Sequence, residues 1–216
     1  MKKLIFTAIS LFATLSCMAQ DIKLPNVAMS KTSMSVVETL AKRHSVREYS
    51  DNNLTTQELS NLCWAACGVS RDNNHRTAPT AKNRKEIRLF VFTAENVYEY
   101  LPVENKLKFV CKGDNRPLVA GTKAFSQDFV LTAPISLVMV ADFNLFGSKD
   151  EHAQLMTCVD AGIVSENINL YCESVGLATI TRATMDVEGL RRLLNLTEDQ
   201  LPILNNTVGY EKTIVK

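Results

Sequence analysis

A chain of 216 residues, 46% of them hydrophobic, can bury one sizeable core but is too short for two ordinary domains with room to spare. Its 24 basic and 23 acidic side chains nearly cancel, which excludes a bulk nucleic-acid binder and leaves an ordinary globular composition.

The first residues read as a secretory signal rather than as fold. Lys2 and Lys3 precede an apolar run from Leu4 to Leu15, and Ser16-Cys17-Met18-Ala19-Gln20 offers small residues around a cut site. We expect cleavage after Ala19, which leaves one domain over 20–216 and places it outside the cytoplasm, in the periplasm. The apolar run is shorter than the ~20 residues that span a bilayer. A lipid anchor at Cys17 is disfavoured, because Thr14 stands where lipoprotein signals carry Leu. Removing the leader takes two lysines, so 24 − 2 = 22 basic groups face 23 acidic ones. Cys63, Cys67, Cys111, Cys158 and Cys172 remain. Their odd number, with no CxxC spacing and no nearby His, predicts buried thiols rather than disulfides or a zinc site.

Residues 20–31 are polar around Pro25 and predict an arm without regular structure. A first helix begins at an N-cap Ser33 or Ser35 and carries Val36, Val37, Leu40 and Ala41 as its apolar stripe. It runs into Arg43-His44-Ser45-Val46-Arg47. Thr55 and Glu58 form a capping box for a second helix, with Leu59, Leu62, Cys63 and Ala66 at helical spacing and Gly68 as its stop. A polar loop follows from Val69 to Arg84, long enough to suggest a functional one. Between Lys42 and Arg88 nine basic residues face five acids, so positive charge gathers around two polar segments and points to an anionic ligand.

Ile87 to Thr93 predicts a strand, and Val97–Tyr100 and Leu107–Val110 a hairpin about Pro102–Lys106. Gly121 to Phe129 suggests a short helix. Pro134 to Ala141 is nearly all apolar and fits a central strand buried on both faces. His152 to Val175 predicts the longest helix, mostly buried, stopped by Gly176. Ala178–Ala183 reads as a strand, Asp186 caps a helix through Leu194, and Ile203–Tyr210 closes the chain in extended form. Helices and strands mix without strict alternation, so the fold class is α+β.

Nucleophile elbows, HExxH, P-loop and dinucleotide glycine motifs are absent from the sequence. Asp160 and Glu166 lie six residues apart on the long helix and point different ways, which suits capping, dimer contacts or solvent. The sharpest remaining feature is the 43–47 segment. If extended, it turns Arg43, Ser45 and Arg47 to one side, two guanidinium forks and a hydroxyl suited to a phosphate monoester. If helical, Ser45 drops out, and the arginines read as ordinary cations at a helix C-terminus. Residues 76–83 (RTAPTAKN) supply a loop stiffened by Pro79, in which Thr80 and Asn83 can bond the edge of a flat heterocycle.

These segments carry a family resemblance. RHSVREYS resembles the phosphate segment R-R-S-x-R-x-[FY] of the FMN-dependent nitroreductase family, and RTAPTAKN resembles its R-x-x-P-S-x-x-N flavin loop, with Thr80 for Ser. LSNLCWAACGV between them, DAGIVSENINLYCESVGLATI and NNTVGYEK are similar to three further family segments, in order, over residues 34 to 212. The chain looks most like small members related to the thiazoline or oxazoline dehydrogenases of peptide maturation. The resemblance implies a central mixed or antiparallel sheet flanked by helices, and a homodimer with FMN held between both chains. By motif position it implies that Arg43, His44, Ser45 and Arg47 hold the phosphate and ribityl chain, and that Pro79, Thr80, Ala81 and Asn83 line the pyrimidine edge. Ile180, Thr181 and Arg182 then bring backbone amides to flavin N5, and Lys212 is the candidate that completes the phosphate clamp. Glu211 departs from the family's proline, and the chain is short between Asp142 and Glu151, where larger relatives insert a lid, so an open pocket is expected. The implied activity is ping-pong hydride transfer to nitroaromatics, quinones or related acceptors, with NAD(P)H as a donor. Alternatives are a flavin-dependent dehydrogenase or reductive dehalogenase, and a flavin-binding protein without turnover. No side chain need act as nucleophile, since the flavin carries the chemistry.

Overall fold

A computed structural model describes residues 20–28 and 33–212, so the leader expected at 1–19 lies outside the described residues. The apolar run expected to be central is so. Strand β7 (Ile135–Asp142) is buried at all eight positions. It pairs on one side with β4 (Ile87–Phe92) and on the other with β9 (Gln200–Gly209), both antiparallel. With β1 (Ile22–Lys23), β5 (Asn96–Leu101), β6 (Lys106–Lys112) and β8 (Ala178–Arg182) it completes a seven-stranded antiparallel sheet in the order β1-β6-β5-β4-β7-β9-β8. The arm expected to be irregular thus adds an edge strand, Ile22–Lys23 against Leu107 and Lys106. A small hairpin of β2 (Val69–Arg71) and β3 (His75–Arg76) stands apart and breaks up the loop expected from Val69.

Strand alternation sends successive side chains to opposite faces and builds two cores. Leu89, Val91, Leu137 and Met139 point to one face, covered by α2 (Thr56–Cys67) and α5 (Glu151–Val175) through Leu62, Cys63, Val164, Ile168 and Cys172. Phe90, Phe92, Val138 and Val140 point to the other, covered by α3 (Arg116–Ala120) and α6 (Val187–Leu193) through Val119 and Leu190. One short helix, α4 (Phe143–Phe146), follows β7.

Local signals fix most boundaries. Ser35 caps α1 (Val36–Lys42) and exchanges capping-box hydrogen bonds with Glu38, as Thr55 does with Glu58 for α2. Gly176 ends α5 with φ 78°. Gly68 ends α2 for another reason: a Cβ there would collide with Trp64.

Three expectations are corrected. The helix placed at 121–129 lies earlier, at Arg116–Ala120, because Pro117 suits a first turn and Gly121, at φ 151°, stops it. A 3-10 turn at Asp128–Thr132 follows. The α1 stripe is not in the core: Val36, Val37 and Leu40 are exposed, Val37 at 77%, and Thr39 is the buried residue. On α5, Leu155 and Val159 are likewise exposed, Val159 at 48%. Cys63, Cys67 and Cys172 are buried free thiols as expected, Cys111 is partly buried, and Cys158 is exposed.

Candidate functional site

The chain leaves α1 at Arg43, whose φ of −48° and ψ of 122° depart from the helix, and 43–48 continues without helical structure. Val46 is the inward anchor: its side chain is buried and its N–H donates to the Thr179 carbonyl at 3.1 Å. Tyr49 is the second anchor, its hydroxyl 3.0 Å from the Val46 carbonyl and 2.7 Å from Thr207 Oγ1. Burial drives the Tyr49 pKa well up, so it stays a neutral phenol. With Val46 pinned inward, Ser45 and Arg47 on either side are exposed and Arg43 is half-buried. The side chains of Arg43, Ser45 and Arg47 have no hydrogen-bonding or ionic partner among the described residues. The helix-end reading is therefore set aside for the 43–47 backbone.

Lys212 arrives beside this segment through the chain's final described pairing. Its N–H donates to the Glu48 carbonyl at 3.0 Å, Ser50 N–H donates to Tyr210 at 2.8 Å, and Tyr49 faces Glu211 across an antiparallel bridge. Gly209 is required nearby, since a Cβ there would stand 2.7 Å from Pro134 and 2.9 Å from Tyr49. His44 points elsewhere. Its Nδ1 lies 3.0 Å from the Lys42 carbonyl, and its ring is 3.7 Å from Glu173 and 3.6 Å from Glu211. The Lys42 carbonyl first, and the two glutamates after it, raise its pKa.

Strand β8 is joined to the same region by the Val46–Thr179 bond. Ile180 is buried. Thr181 Oγ1 lies 2.6 Å from Ser165 Oγ and accepts from Asn169 Nδ2 at 3.0 Å, while Asn206 links Ser165 and Asn169 at 2.7 and 3.0 Å. Arg182 turns inward and is 5% exposed. It donates to Gln127 Oε1 and Asn205 Oδ1 at 2.7 Å each and to the carbonyls of Val119 and Ala120 at 3.1 Å, with its guanidinium over the Phe129 ring. Desolvation lowers its pKa to about 10, which leaves it charged. Its side chain braces the sheet; only its backbone can face a ligand.

The loop carrying Pro79, Thr80, Ala81 and Asn83 is a tight structure with left-handed Lys82, Asn83 and Lys85. Thr80 Oγ1 accepts from Lys85 N–H at 2.8 Å, and Ala81 N–H donates to Asp160 Oδ2 at 2.7 Å. Asp160, expected at a cap, contact or solvent position, is instead buried beneath this loop. Glu86 is buried beside it. Asp160 opens the family-like segment DAGIVSENINLYCESVGLATI, although nothing in that segment signals its burial, and Glu86 carries no motif. Asp160 and Asn169 are nine residues apart, two and a half turns, so the loop and the β8 network bind opposite flanks of α5. A single chain therefore groups 43–47, 180–182 and 212, and holds 79–83 apart from them.

With that geometry in view, comparison with known proteins is decisive. The sequence profile of the nitroreductase family matches residues 40–210. This chain belongs to the nitroreductase family. It is thus an oxidoreductase of nitroreductase-like fold. A crystal structure of a nitroreductase-type protein from Ralstonia eutropha JMP134 superposes with a TM-score of 0.81 at 32% identity, covering 91% of each chain. A Methanocaldococcus jannaschii protein named as a nitroreductase is 28% identical over 199 residues, 88% of this chain and 96% of the relative. A Methanothermobacter thermautotrophicus protein named as an NADH dehydrogenase/NAD(P)H nitroreductase is 25% identical over 182 residues, 82% of this chain and 78% of the relative. Among the described residues no helix is long and apolar enough to cross a membrane, and no group of three or more His, Cys, Asp or Glu could hold a metal ion.

Proposed function

We propose that this nitroreductase-family member is an exported, homodimeric, FMN-dependent enzyme that reduces nitroaromatic, quinone or related small acceptors with ping-pong kinetics. The observation that carries the cofactor assignment is the partnerless set Arg43, Ser45 and Arg47 on an anchored extended segment. Such donors fit a phosphate dianion, and Arg offers forked bonds that pH does not remove. Bound FMN supplies hydride and electron transfer at its N5. The protein's part is to fix the phosphate through 43–47 with Lys212, present the 180–182 backbone to the ring, and line the pyrimidine edge with 79–83.

Two observations support the dimer. Exposed Leu155 and Val159 and an open Gly162 face form an apolar stripe on α5, with α1 offering Val36, Val37 and Leu40. Because the loop and the phosphate segment bind opposite flanks of α5, a second copy packed on that stripe is the simple way to bring one chain's loop to the other's phosphate segment. Val159→Arg would put like charges together across a two-fold contact. We expect it to run as a monomer on size-exclusion chromatography and to bind FMN roughly tenfold or more weakly; a dimer of unchanged affinity would count against the shared site.

The donor is tested by the visible spectrum of purified residues 20–216. We expect a yellow protein bleached by NADH or NADPH and recoloured by a quinone. Flavin that stays oxidised with both nicotinamides yet bleaches with dithionite would replace NAD(P)H by another donor and favour the dehydrogenase reading.

A further inference from the structure

Two carboxyl groups meet beneath the 79–85 loop, and no established role uses them. Glu86 is 0% exposed, and neither side-chain oxygen has a hydrogen-bond donor. Its backbone is held in place, the Glu86 carbonyl accepting from Asp142 N–H at 3.0 Å. Asp160, 3% exposed, reaches the loop from α5 and accepts from Ala81 N–H. Two ionised carboxylates here would repel in a poorly solvated place.

Among the described residues no cation acts on Glu86: Arg76, which lines the same cavity as Lys85 and Arg88, donates to the Cys67 carbonyl at 3.2 Å, and Lys82 is exposed. Arg88 is bonded to Glu99 at 2.7 Å and stands 3.9 Å from Asp142. Arg84 is exposed and lies over Gly147, and Lys85, partly exposed, faces the cavity outside the loop. The charged group that acts on Glu86 is Asp160. One proton resolves the conflict: a protonated carboxyl donates a short, charge-assisted hydrogen bond to its ionised neighbour.

We propose that Glu86 and Asp160 share one proton, and that this proton holds the 79–85 loop in its cofactor-binding shape by keeping Asp160 on Ala81. The proposal rests on the FMN reading for its functional consequence alone. Burial first, and Asp160 after it, raise the Glu86 pKa from 4.5 to about 8. When the proton leaves, the two charges push apart, Asp160 is drawn off Ala81 N–H, and the loop loosens. Both are positioning residues: Asp160 holds the loop through Ala81 N–H, and Glu86 acts through Asp160.

The sign for stability follows from a raised folded-state pKa. The folded protein keeps a proton that the unfolded chain releases, so the contribution is full below about pH 4.5, declines as pH rises, and is gone above about 8.

The test compares wild type with Glu86→Gln, whose amide imitates the protonated acid. Flavin-free protein is melted across the range from about pH 5 to about 9, and FMN affinity is read by flavin fluorescence at about pH 7 and about 9. We expect the wild-type melting temperature to fall relative to Glu86→Gln across this range. Wild-type affinity should fall about fivefold or more between the two pH values, with Glu86→Gln nearly flat. Identical pH dependence of the two proteins in both measurements would overturn the proposal. If the melting difference appears while neither protein binds FMN, the shared proton stands and the cofactor reading falls. Should Glu86→Gln fail to fold, infrared spectra of wild type decide: a protonated-carboxyl band at about pH 6 that is lost by about pH 9 supports the pair, and its absence refutes it.

Discussion

Arg47→Ala should weaken FMN binding by about 1.5–3 kcal/mol, roughly tenfold to hundredfold, because the substitution removes a charged hydrogen-bond donor from the phosphate. The structural reason to expect a clean result is that the exposed Arg47 side chain makes no hydrogen bond or ion pair among the described residues, whereas its neighbours Val46 and Tyr49 hold the segment in place. The flavin-free variant should therefore melt at the wild-type temperature. Titration with FMN, followed by fluorescence, reads the affinity; wild-type affinity would move the phosphate away from this residue. The loss should also shrink as salt rises, since exposed charge pairs are screened.

Arg182→Ala should have the opposite profile, a large loss of stability of on the order of 3–5 kcal/mol, or about 10 °C in melting temperature. The buried guanidinium satisfies four acceptors from three parts of the chain: Gln127, Asn205 and the last carbonyls of α3. Their partners vanish together, and no carboxylate shares the site. Arg182→Lys should recover little, because an ammonium cannot spread its three donors over the same fork. At low temperature the folded variant should bind FMN as wild type does. Unchanged melting with lost flavin would mean that the side chain serves the cofactor after all.

The contrast between these two arginines marks the limit of what the sequence discloses. Motif position implied both as flavin residues, and motif position does not say which way a side chain points. At Arg47 the alternation set by Val46 supplied the direction. At Arg182, partners 55 and 62 residues away in the chain decide it, and no local pattern reports them. Periodicity found α1 and its apolar stripe, but it identifies a face without saying what covers it, and Val36, Val37 and Leu40 emerge at the surface. The capping boxes and the β7 run were legible because each rests on neighbours in sequence. Glu86 and Asp160 were not, since a carboxyl becomes unusual only when the fold removes its water.

The pairing of residues 48–50 with 210–212 bears on assembly order. Tyr49 and Thr207, 158 positions apart, are bonded at the base of the 43–47 segment. The arginines are among the first residues of the domain to be made, yet the strand that seats them is among the last. Until it arrives, 43–47 is held by the Val46–Thr179 bond without the Tyr49–Thr207 one, so a partly made chain should bind FMN poorly. A truncation before Gln200, which removes β9 and with it Thr207, should therefore yield colourless protein even where the sheet's other strands have formed.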